Sequence, residues 1–249
     1  MPDITFPAGA GSDAAYLAVP PASSSTGPWP GVVVLHEAFG LDESVRRQAD
    51  ELAAHGYLAL APDLFEGKHW IRCVRAAFQQ LRTGGGPAFA VIDAARAFLA
   101  GRADCTGKTG VIGFCMGGGF ALLCAPGHGF DVASVNYGEV PKDTERVLAG
   151  ACPIVGSFGG RDAMGTAHPE RLQRALAVLE VPHDVQVYPG SGHRFMNQPS
   201  GAAANAFATV TRMTYQPADA ADAWQRILAF FGTYLGTTAV PSRDEPSHD

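Results

Sequence analysis

A β-favouring apolar pair, Val111-Ile112, leads through Gly113-Phe114-Cys115-Met116-Gly117 into Gly118, Gly119 and a helix-compatible segment. Gly113 and Gly117 stand two positions before and after Cys115. A nucleophile on a sharp strand-to-helix turn needs small neighbours there, because its own backbone is strained. The stretch reads as a nucleophile elbow with sulfur in place of oxygen. An elbow requires a strand that feeds directly into a helix, so the sheet containing it has crossover connections.

The remaining chain fits that requirement. Residues 14–19 predict an early edge strand, followed by a Pro/Ser/Gly-rich turn at 20–30. Val32-Val33-Val34-Leu35 is a continuous apolar run, the mark of a strand covered on both faces. Asp42 can cap a helix running to about Ala54 that stops at His55-Gly56. Tyr57-Leu58-Ala59-Leu60 predicts the next strand. Residues 67–82 are amphipathic and carry Arg72, Arg75 and Arg82, and a glycine break at 84–86 separates them from a helix over about 88–100. Apolar segments at 132–136, 152–157 and 184–188 predict three further strands, with a helix at about 169–180 among them. A closing helix over 217–235 repeats Trp224, Ile227, Leu228, Phe231 and Leu235 at core-facing spacing. Such alternation implies a mostly parallel central sheet flanked by helices, an α/β class. The expected domain is 1–236, with 237–249 as a flexible C-terminal tail poor in groups to bury.

Ligands in such sheets bind beyond the carboxyl ends of the strands. Four chemically able groups each follow a predicted strand: Glu37, Cys115, Asp162 and His193. Nucleophile, acid and histidine also appear in the order of an elbow-based hydrolytic triad. A free thiol is mostly protonated at neutral pH, so His193 in Gly190-Ser191-Gly192-His193 is the expected proton acceptor. Asp162 in Gly159-Gly160-Arg161-Asp162 would hold the imidazole tautomer and stabilise the imidazolium. Backbone N–H groups of Met116 and Ala38 are the expected oxyanion donors.

The net charge of −6 and the lack of a Lys/Arg block argue against a nucleic-acid partner. No signal peptide and no apolar run of spanning length is visible, so no membrane partner is expected and the location is expected to be cytoplasmic. Five cysteines without regular spacing disfavour disulfides and a zinc site.

Taken together, His36-Glu37-Ala38-Phe39-Gly40-Leu41, Ala61-Pro62-Asp63-Leu64-Phe65, Gly113-Phe114-Cys115-Met116-Gly117-Gly118, Gly159-Gly160-Arg161-Asp162 and Gly192-His193-Arg194-Phe195 resemble the dienelactone hydrolase family. The resemblance covers roughly 14–235 and implies a single-domain α/β-hydrolase fold. It further implies a Cys115-Asp162-His193 triad and hydrolysis of a small lactone or ester through an acyl-enzyme thioester. No cofactor and no metal are implied, and the partner is a small-molecule substrate met by a monomer or small homo-oligomer. By the same resemblance Glu37 is a carboxylate beside the thiol and Phe39 a pocket wall; Tyr137 is a further pocket-facing candidate.

One departure stands out. The family holds a substrate carboxylate with arginines, one of them in a His-x-Phe-x-Arg pattern; here that place is Asn197, while Arg194 directly follows His193. Either Arg194, Arg72 or Arg75 supplies the charge, with Arg194 the assigned substrate-binding residue, or the substrate is not an anionic dienelactone. Two other patterns are weaker. His168-Pro169-Glu170 resembles a glutaminase His-x-Glu but more simply begins a helix, and His36-Glu37-Ala38-Phe39-Gly40 lacks the second histidine of a zinc helix. The alternative to a hydrolase is a non-catalytic ligand-binding or thiol-redox member of the same fold.

Overall fold

The computed structural model describes residues 3–9, 11–22, 26–65, 70–198 and 214–236. The expected tail at 237–249 and residues 199–213 lie outside these residues. The strands are β1 (Asp3–Ala8), β2 (Gly11–Ala18), β3 (Trp29–Leu35), β4 (Leu58–Pro62), β5 (Cys105–Phe114), β6 (Val132–Asn136), β7 (Ile154–Gly159) and β8 (His183–Tyr188). They form one eight-stranded sheet in the order β1-β2-β4-β3-β5-β6-β7-β8. From β4 to β8 every neighbouring pair is parallel, and β2 and β1 join antiparallel at one edge.

The helices are α1 (Glu43–Ala54), α2 (Trp70–Thr83), α3 (Pro87–Ala100), α4 (Met116–Cys124), the single turn α5 (Thr144–Val147), α6 (His168–Val178) and α7 (Pro217–Leu235). They cover both faces of the sheet. Val33, Leu35 and Val111 pack with Phe89, Phe120 and Leu176 on one side. Val32, Val34 and Ile112 pack with Leu52, Ile227 and Phe231 on the other. Successive strand residues point to opposite faces, so the unbroken apolar runs of β3 and β5 follow from this double cover. Ile227 and Phe231 are fully buried, and each such side chain stabilises the fold by about 1.5–3 kcal/mol.

Local signals account for the element ends. Asp42 caps α1, accepting from the Ser44 and Val45 amides at 3.0 and 3.1 Å, and α7 ends at Gly236 with a left-handed φ of 83°. One expectation is corrected: residues 14–19 are not an edge strand. Their counterpart β2 lies between β1 and β4, and β1 forms the edge. Its sequence DITFPA buries only Phe6 and includes a proline, which an edge tolerates because it lacks a ladder donor; the hydrophobic pattern there is too short to announce a strand. Among the described residues no helix is long and apolar enough to cross a membrane.

Candidate active site

The elbow forms as its glycines require. Cys115 has φ 54° and ψ −114° between β5 and α4, a region that L-residues with a Cβ avoid. A Cβ on Gly113 would lie 1.9 Å from the Gly117 carbonyl oxygen, and one on Gly117 would lie 2.2 Å from that of Leu35. The turn therefore closes only with hydrogen at both positions. The Cys115 amide donates to the Asn136 carbonyl at 3.0 Å, which pins the elbow to the end of β6.

The loops after β7 and β8 are joined through backbone. The Gly160 amide donates to the Tyr188 carbonyl at 2.7 Å and the Arg161 amide to the Ser191 carbonyl at 2.8 Å. Ser191 Oγ donates to Asp219 Oδ2 at 2.5 Å, tying the histidine loop to α7. This framework sets His193 Nδ1 at 2.7 Å from Asp162 Oδ2, and Asp162 Oδ1 accepts from the Met164 amide at 2.9 Å. Burial works against the charged form of His193, but the Asp162 carboxylate and the Cys115 sulfur outweigh it and push its pKa up to about 10. Burial likewise opposes ionisation of Asp162, yet its bond to His193 holds the carboxyl below its ordinary value. His193 Nε2 is buried without a hydrogen-bond partner among the described residues.

Cys115, Met116, Tyr137, Asp162 and His193 line one cavity of about 220 Å³. Phe78 and Leu81 of α2 form its apolar side, and Glu139, Met164, Gly165 and His168 complete it. His168 begins α6, as expected, but also faces this cavity. The sequence offered one signal for it and for Glu139: each follows the carboxyl end of a strand, Glu139 after β6 and His168 after β7 at the start of α6.

Phe39 and Arg194 are placed differently from the expectation that they touch substrate, and Glu37 is the group that holds Arg194. Glu37 is buried and accepts from Arg194 Nε at 2.5 Å, and the guanidinium sits 4.7 Å above the Phe39 ring. Phe39 stacks in turn on Trp70, with ring centroids 6.5 Å apart. Neither Phe39 nor Arg194 lines the cavity: the buried carboxylate holds the guanidinium, and the half-exposed Phe39 ring stacks on it. Burial pushes the Glu37 pKa up, while Arg194 and His193 pull against that shift. Tyr137 adopts φ 42°, and its hydroxyl donates to Asn197 Oδ1 at 3.0 Å. Gln48 Nε2 donates to the same oxygen at 2.5 Å. Asn197 thus occupies its place as the centre of a buried amide–phenol network.

The sequence shows His36 in the loop that carries the family resemblance and in a failed zinc pattern, but assigns it no role. Its Nδ1 meets the Glu37 carbonyl at 2.6 Å and its Nε2 accepts from the Leu64 amide at 3.0 Å. With burial lowering its pKa, it is a neutral bridge between the loops after β3 and β4. Both ring nitrogens are thereby occupied.

The model of the dienelactone hydrolase family matches residues 14–235. The chain belongs to the dienelactone hydrolase family. A carboxymethylenebutenolidase of Rhodococcus opacus is 30% identical to it over 231 residues, 86% of this chain and 85% of its own. A Yersinia pestis protein provisionally given the same name is 29% identical, covering 98% of this chain and 91% of its own length. A crystal structure of a provisionally assigned dienelactone hydrolase from Klebsiella pneumoniae subsp. pneumoniae superposes with a TM-score of 0.72 at 27% identity, over 94% of this chain and 98% of that one. This dienelactone hydrolase-family chain is therefore an α/β-hydrolase enzyme acting on lactone or ester bonds.

Proposed function

We propose that the protein hydrolyses a small lactone or ester by covalent catalysis at Cys115. The observation that carries this reading is His193, held through Nδ1 by Asp162 at 2.7 Å and presenting an unpartnered Nε2 to the cavity it shares with Cys115. Nε2 takes the thiol proton and the sulfur attacks the carbonyl carbon. The tetrahedral adduct collapses to a thioester as the C–O bond breaks, and Nε2–H protonates the departing alkoxide. Water, deprotonated by His193, then attacks the thioester; the acid leaves and the thiolate recovers its proton.

Met116 and Ala38 supply the proposed oxyanion donors. Met116 opens α4, where first-turn amides have no intrahelical acceptor. The Glu37 carbonyl is held by His36 Nδ1 at 2.6 Å and by the Gly40 amide at 3.2 Å. Ala38 N–H belongs to the same trans peptide and is turned the opposite way, so His36 fixes its direction.

An activated aryl ester tests the mechanism. Wild type releases phenol in a burst stoichiometric with enzyme, and Cys115→Ala shows neither burst nor turnover. Equal rates in the two proteins would overturn the assignment of the nucleophile; binding without turnover in wild type would favour a non-catalytic member of the fold.

A further inference from the structure

The charges around the cavity do not suit an anionic substrate. Its described lining holds no lysine or arginine. One proton is shared between Cys115 and His193, so with the Asp162 carboxylate the triad carries one net negative charge, and the Glu139 carboxylate adds another. Nearby guanidinium groups are directed elsewhere: Arg194 to Glu37 at 2.5 Å and Arg171 Nη1 to the Val140 carbonyl at 2.8 Å. Arg72 and Arg75 are exposed on α2 and are absent from the lining, to which that helix contributes Phe78 and Leu81.

We propose that this enzyme selects uncharged esters or lactones, seating their hydrocarbon against Phe78 and Leu81 and a neutral polar group against His168, and that Glu139 disfavours carboxylate-bearing substrates. The inference rests on Cys115 and His193 being the reacting groups of this cavity. Burial lowers the pKa of His168 although its bond to the Gly138 backbone pulls the other way, so the ring is neutral, one nitrogen is engaged, and the other is left to accept from a polar group of the substrate. A carboxylate entering here would lose water without gaining a bidentate cation and would meet a like charge.

Two aryl esters of matched length read this directly, 4-nitrophenyl pentanoate and 4-nitrophenyl hydrogen glutarate, each corrected for uncatalysed hydrolysis. The expected kcat/KM favours the pentanoate by at least about tenfold, since like-charge contacts disfavour a ligand by that much or more. The preference shrinks as ionic strength rises, because exposed charges are screened. Glu139 is exposed, so Glu139→Lys leaves the core intact and narrows the ratio by about threefold or more. Cys115-dependent turnover with equal or better use of the glutarate ester overturns the inference alone, as does a ratio insensitive to both salt and Glu139→Lys. Turnover that persists in Cys115→Ala overturns the mechanism and the inference with it.

Discussion

Two regions at the carboxyl ends of the strands are built by different physics. On the side of β5, β7 and β8, backbone holds backbone: glycines with no room for a Cβ, amide–carbonyl bonds between loops, and one aspartate–histidine contact. On the side of β3, side chains hold side chains: Arg194 on Glu37, Gln48 and Tyr137 on Asn197, Phe39 between Arg194 and Trp70. Three of the four non-glycine residues with positive φ among the described residues, Cys115, Tyr137 and Arg194, belong to these two sides. Strain of this kind persists only where surroundings over-determine it. The first side permits little adjustment, whereas the second can repack around a changed partner.

The largest effect should come from the proposed reacting group on the rigid side. His193→Ala is expected to lower kcat by at least about 10³-fold, and a loss under tenfold would make the histidine structural. Its stability effect has a definite pH sign. The folded pKa of about 10 lies above the ordinary 6.5, so the stabilisation from the imidazolium is complete below 6.5 and is lost as pH rises through 10. The difference in Tm between wild type and His193→Ala should narrow across that window.

Gly113→Ala tests the rigidity itself. A methyl 1.9 Å from a backbone oxygen cannot be relieved by a rotamer, and a loss of about 3 kcal/mol is expected. That is a fall in Tm of roughly 6–12 °C for a chain this size; an unchanged Tm would show that the elbow can open.

The side-chain network should respond with compensation. Arg194→Met leaves Glu37 buried without its cation, at a cost of about 3 kcal/mol near neutral pH, the low end for a broken buried pair because the Arg194 side chain keeps some contact with solvent. Burial already raises the Glu37 pKa and losing Arg194 raises it further, so the penalty is present above the ordinary carboxyl pKa of 4.5 and eases as pH falls. Adding Glu37→Gln to Arg194→Met should recover part of the loss. A double variant no more stable than Arg194→Met would show that this side is as unyielding as the other.

The sequence by itself determined the layered sheet, the elbow and the chain order of Cys115, Asp162 and His193, because these follow from short-range rules. Apolar runs such as 32–35 and 132–136 announce doubly covered strands, and Gly113 and Gly117 announce a turn whose atoms are all local. The closing helix at 217–235 was legible from its own periodicity. Tertiary structure alone decided where Arg194, Phe39, Asn197, His36 and His168 point. Arg194 and Glu37 are 157 residues apart and Gln48 and Asn197 are 149 apart, and His168 reaches the cavity only because α6 starts at its rim. A charged or amide side chain has several partners within reach of its rotamers. Which one it takes depends on which distant loop packs beside it and which groups burial leaves in need of a hydrogen bond.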